Sequence, residues 1–206
     1  MKETNILRMP KTTIEEALEN RNFKLVNEFY KSAVYQDYIK KLVTNPKNSE
    51  KDIKNESDFY TSLSFVNITY SINHKNVKEN YGKLCKSFEK CMKSKISGQD
   101  KLLISRSLLH AIKPLGTGSF DFEIGKDTVA KRNDKTVKQD IYAIKKIGNS
   151  LRLYSSNILV DLEIRMIFKD AMNSTLEQLS NPSSKISTKA AMNKVKALAT
   201  TCKKLV

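Results

Sequence analysis

The chain has 206 residues, 39% of them hydrophobic, and carries 37 Lys and Arg against 22 Asp and Glu for a formal net charge of +15. That length and apolar content suffice for a core in one domain or in two small helical halves and exclude a wholly disordered chain, while only 6 Gly and 4 Pro favour long helices over a turn-rich β fold. A positive excess this large strains a lone compact domain unless a polyanion or a membrane relieves it, and nucleic acid is the default partner of a soluble basic protein.

No run of about 18 apolar residues exists to span a bilayer. The N-terminal M-K-E-T-N-I-L-R-M-P lacks the apolar core of a signal peptide. Cys85, Cys91 and Cys202 fit a reducing compartment with free thiols, and the spacing of the first two matches no zinc motif.

Residues 1–11 are expected to be flexible. Thr12 with Glu15 and Thr13 with Glu16 form overlapping capping boxes that start a first helix. Leu25, Val26, Phe29, Tyr30, Ala33, Val34, Tyr38 and Leu42 then mark an amphipathic helix ending at Asn45-Pro46, because the residue before proline is pushed out of the α region. Thr44 to Asp58 reads as a polar surface loop. Phe59, Leu63, Val66 and Tyr70 have helical spacing, and 59–72 is expected as helix despite β-branched content that also suits a strand. Val77, Tyr81, Leu84, Phe88 and Met92 stripe a helix over 76–95, with Gly98 as its expected C-terminal cap. A further helix over 99–112 stops at Lys113-Pro114. Gly116 and Gly118 mark the best hinge in the chain, which divides a helical subdomain of residues 12–114 from a second of 115–182. Lys126 to Lys135 reads as a charged loop. One long helix is expected from Thr136 to Ala171, with a kink at Gly148-Asn149. Around Pro182 lies a linker, and residues 183–206 form a basic segment that holds Lys185, Lys189, Lys194, Lys196, Lys203 and Lys204 and no acid. That segment reads either as a helix formed on docking or as a disordered basic tail.

Two groups of cations stand out. Lys83, Lys86, Lys90 and Lys93 recur at three and four residues, opposite the apolar stripe of their helix. Lysines on such a face touch phosphate as point charges, giving affinity without sequence reading, although a solvated face has the same pattern. In the long helix, Lys145, Asn149, Arg152 and Ser156 lie within about 40° of one another at about 100° per residue, with Lys146 beside them. Arg106 and Arg152 are candidates for bidentate grip of phosphate. Aromatic residues such as Tyr30, Tyr35 and Tyr38 suit either helix core or a subunit interface.

Ser150, Leu151, Arg152, Ser155, Ser156, Ile158 and Leu159 make up most of the decamer S-L-R-L-Y-S-S-N-I-L. This decamer resembles the C-terminal signature of the small α-helical RNA silencing suppressors of closteroviruses, of the beet yellows virus type. Fainter likenesses lie in Phe120-Asp121-Phe122-Glu123-Ile124 and in Val26-Asn27-Glu28-Phe29, so the resemblance spans roughly residues 20 to 165 in the expected order. It implies an all-α protein that assembles into a closed, octamer-like homo-oligomeric ring in the host cell cytoplasm. It also implies that the ring binds RNA, small duplexes and also single strands, on a basic surface and withholds it from the silencing machinery. The RNA-binding candidates are thus Lys83, Lys86, Lys90, Lys93, Arg106, Lys145, Lys146 and Arg152. An RNA-packaging nucleocapsid-type protein and a basic protein that binds acidic host partners remain alternatives.

There is no P-loop, GxSxG or HExxH motif. His74 and His110 lack ligand-like companions, and His110 beside Leu109 reads as a packed or rim histidine. No catalytic constellation is expected, and neither a cofactor nor a metal.

Overall fold

The computed structural model describes residues 50–72, 77–117, 132–154, 160–182 and 184–206. The readings of the N-terminal helices, of the Phe120–Ile124 stretch and of Ser155 to Leu159 lie outside these residues. The described helices are α1 (Glu50–Ile72), α2 (Val77–Lys93), α3 (Gly98–His110), the short α4 (Lys113–Thr117), α5 (Asp134–Tyr154), α6 (Asp161–Glu177) and α7 (Thr188–Leu205). Among the described residues there is no strand, only a parallel bridge between Asn133 and Lys185. The all-α expectation holds for them.

The core follows the apolar periodicity. All five stripe residues of α2, from Val77 to Met92, are buried. They share one apolar cluster with Phe59, Leu63 and Val66 of α1 and with Ile144, Ile147 and Leu151 of α5. Phe88 sits between two aromatic partners, Phe59 at 6.4 Å and Tyr154 at 5.8 Å between ring centroids. The buried Tyr81 hydroxyl donates to the Ala111 carbonyl at 3.0 Å, which satisfies the polar tip of a core aromatic. α1 packs on α2, α2 on α5 and α5 on α7, while α6 closes the assembly against α7 and α4. The cluster runs from Phe59 to Leu198, so residues on both sides of Gly116 contribute to one core.

Several elements differ from the sequence reading. The expected loop before Asp58 is helical from Glu50 onward. No Gly or Pro interrupts it, and its first turns dock on the end of α2. There the Cys91 thiol donates to the Asn55 carbonyl at 3.1 Å and the Lys95 N–H to Asp52 Oδ1 at 3.4 Å. Gly98 opens α3 rather than capping α2, because Ser97 accepts the Asp100 N–H at 3.1 Å and serves as the N-cap. Gly116 is no open hinge. It is buried in α4, and a Cβ there would strike the backbone of Ala171 in α6.

The long helix is two helices. Val160 is extended, with φ −82° and ψ 125°, and α6 restarts at Asp161. A continuous helix would carry the stripe Ile144, Ile147, Leu151 and Tyr154 on through Leu162 to Arg165 and Lys169. Leu162 is instead 65% exposed and the two cations are exposed, while the buried face of α6 re-phases to Ile164, Ile167, Phe168 and Ala171. Gly148 lies inside α5 and makes no break there. The basic C-terminal segment is part of the fold: α7 packs on α5 and α6 and buries Ala191, Ala197 and Leu198.

Candidate nucleic-acid interface

The site is built on the pairing of α5 with α7. Asn133 caps α5, its side-chain oxygen accepting the N–H groups of Lys135 and Thr136 at 3.0 and 3.2 Å. Ser187 caps α7 by accepting the Ala190 N–H at 3.2 Å. The Asp134 carboxylate then joins the two starts, accepting both the N–H and the hydroxyl of Ser187 at 2.8 Å. These hydrogen bonds hold the Asp134 carboxyl below its ordinary range. Further along, Asp140 meets Lys194 and Gly148 meets Thr201. The three pairs are 53, 54 and 53 residues apart in the chain, so the helices run parallel in fixed register. Gly148 permits this approach, because a Cβ there would collide with the Thr201 methyl.

Beneath the pair lies a fully buried ionic cluster. Asp140 Oδ2 accepts from Lys194 Nζ at 2.9 Å and from Arg132 Nη2, and all three side chains have no exposed area. The Gly116 carbonyl adds an acceptor 3.5 Å from Lys194 Nζ and also accepts from Gln178 Nε2. Burial pulls the Lys194 ammonium down to about 8, helped by the Arg132 charge and opposed by Asp140. The sequence reading missed this cluster. Its signal is a charge inside an apolar stripe: Asp140 within Val137, Ile144 and Ile147, and Lys194 within Ala191, Leu198 and Thr201.

The outer side of the α5–α7 pair forms a groove of about 560 Å³. Lys145, Asn149 and Arg152 line one wall, and Asn193, Lys196, Thr200 and Lys204 the other, over a floor of Ile141, Gly148, Ala197 and Thr201. Among the described residues, no carboxylate and no aromatic side chain lines it. The described part of the predicted polar strip thus faces the groove, and Ser156 lies outside the described residues. The opposite wall comes from the segment read as docking helix or tail. Of the decamer, Ser150 and Leu151 are buried and Arg152 is exposed.

A second groove, about 480 Å³, lies between α1 and α2 and contains Lys83, Lys86 and Lys90 beside Asp58, Thr61 and Asn80. Lys83 is already paired with Glu79 at 2.7 Å, which lowers the Glu79 carboxyl. Lys93 is exposed and lines neither groove.

The remaining candidates face other groups. Arg106 Nε donates to both Glu163 oxygens, at 3.2 and 3.0 Å, and His110 Nε2 lies 2.9 Å from Glu163 Oε1. This clamp joins α3 to α6, and the His110 hydrogen bond, followed by Arg106, holds the Glu163 carboxyl down to about 2 against partial burial. The packed-histidine expectation matches this placement. Lys146 is half-buried, and its charge opposes the burial that pushes the Cys85 thiol up to about 11.

No described helix is long and apolar enough to cross a membrane, and no described His, Cys, Asp and Glu residues group as metal ligands. No protein-family model, no curated protein and no solved structure matches this chain.

Proposed function

We propose that this protein binds RNA through its basic grooves and suppresses RNA silencing by sequestration, as a closed homo-oligomer in the host cell cytoplasm. The observation that carries the RNA-binding part is the α5/α7 groove: Lys145, Arg152, Lys196 and Lys204 converge from two helices, with no carboxylate among the described lining residues. Four cations brought together this way repel one another, and a phosphate backbone relieves that repulsion. The net charge of +15 and the lysines of α2 extend the same field. Suppression and ring closure rest on the resemblance carried by residues 150–159. Self-association also has apolar surface to use, because Leu153, Val160, Leu162 and Met166 are each more than half exposed where α5 ends and α6 begins.

The test combines mass and binding. Gel filtration gives the oligomeric state, and titrations of a small RNA duplex and of single-stranded RNA at two salt concentrations give affinity and its salt slope. The expected outcome is an oligomer with salt-dependent affinity for the duplex. A monomer with no salt-dependent RNA affinity overturns the reading. Filaments formed on long single strands point to packaging instead.

A further inference from the structure

We infer that the α5/α7 groove recognises the ribose–phosphate backbone itself and distinguishes RNA from DNA through Thr200, Asn149 and Asn193. This deepens the RNA-binding reading and rests on it. The lining divides into two chemical kinds. Lys145, Arg152, Lys196 and Lys204 only donate hydrogen bonds, so they serve phosphate oxygens of either nucleic acid. A 2′-hydroxyl differs from deoxyribose by offering a donor as well as an acceptor, and only an accepting side chain rewards the donor.

Thr200 is placed to be that acceptor. Its hydroxyl proton is committed to the Lys196 carbonyl at 2.7 Å, one turn earlier in α7. Thr200 is exposed, and its hydroxyl oxygen keeps lone pairs that can accept an incoming O–H. Asn149 and Asn193 are also exposed, one on each wall, and each amide carries both an acceptor and donors. Neutral acceptors therefore stand among the cations on both walls, a pattern suited to sugar hydroxyls that alternate with phosphates. Among the described lining residues no aromatic ring provides a stacking platform, and no carboxylate accepts from a cytosine amine.

Fluorescence anisotropy with an RNA duplex of about 20 base pairs and the DNA duplex of the same sequence tests this. The wild-type protein is expected to prefer RNA by about five- to tenfold, the scale of one to two net hydrogen bonds. Thr200→Val combined with Asn149→Ala and Asn193→Ala should bring RNA affinity down to the DNA level and leave DNA affinity within about twofold. Arg152→Ala with Lys204→Ala should weaken both duplexes alike and flatten the salt dependence. Circular dichroism checks that the helices survive these exposed substitutions. A wild-type protein that binds both duplexes equally, or a triple variant that keeps its RNA preference or loses both affinities in parallel, overturns the ribose inference alone. A wild-type protein with no salt-dependent affinity for either duplex sinks the underlying RNA-binding reading.

Discussion

The two basic grooves look alike in a count of lysines and are built differently. The α5/α7 groove draws cations from both walls, Lys145 and Arg152 from one and Lys196 and Lys204 from the other, with no carboxylate among its described lining residues. In the α1/α2 groove all three lysines come from α2, Asp58 shares the lining, and Lys83 is held by Glu79. The walls of the first are locked in register by the Asp134–Ser187 bonds, the Asp140–Lys194 pair and the Gly148–Thr201 contact. Opposing cations held in place sum into a stronger local field than a row on one helix that an acid partly neutralises. Charge count is therefore a poor guide to which surface binds.

The largest expected effect comes from removing the lock. Asp140→Asn leaves Arg132 and Lys194 buried without their carboxylate and should cost about 3–5 kcal/mol of stability in urea unfolding. A loss under about 1 kcal/mol would show that the register does not depend on this ion pair. Lys194→Met removes the surplus cation instead and should be neutral or stabilising. Lys194 has a folded pKa of about 8 against an ordinary 10.5. The unfolded chain therefore binds more protons between these values, and stability rises with pH across that window. The advantage of Lys194→Met should accordingly be fullest below pH 8 and fade toward 10.5.

Next in size, Gly148→Ala drives a methyl into Thr201 and should cost about 1–3 kcal/mol by overpacking. Thr201→Ser removes the obstructing methyl, so the double variant should recover much of that loss. Additive losses in the double-mutant cycle would place the cost elsewhere.

The comparison of grooves has its own measurement. Arg152→Ala with Lys204→Ala should lower the salt slope of duplex RNA binding by up to about 1.8, at about 0.9 per phosphate contact. Lys86→Ala with Lys90→Ala should lower it less. Equal changes would mean that the two surfaces contribute alike.

The smallest effect concerns the α3–α6 clamp. Glu163 has a folded pKa of about 2 against an ordinary 4.5. Its contribution is present above 4.5 and lost as pH falls toward 2. The stability gap between the wild-type protein and Glu163→Gln should close across that window in acid titrations followed by urea unfolding. A gap independent of pH would assign the effect to packing.

Much of the helical content was legible because periodicity survives in any amphipathic helix: the stripe of α2 is buried residue for residue. Glycine misled. Gly98, Gly116 and Gly148 read as a cap, a hinge and a kink, and the structure uses them to open a helix and to let helices touch. Local sequence does not separate those roles, because close approach depends on a partner far along the chain. Half of the candidate site shared this difficulty. The strip with Lys145 and Arg152 follows from angles within one helix, whereas Lys196 and Lys204 acquire a place only once α7 packs. The same non-local pairing captured Arg106, which Glu163 engages from 57 residues away.

The offset between α5 and α7 also sets a clock. The paired positions are 53 or 54 residues apart, and synthesis at about 5–20 residues per second separates them by about 3–10 s. During that interval Lys145 and Arg152 are displayed without an opposite wall, and Asp140 waits for Lys194. On the RNA-binding reading, the emerging polypeptide is a weak ligand for the transcript that encodes it. On the same reading, full affinity arrives only when α7 folds back.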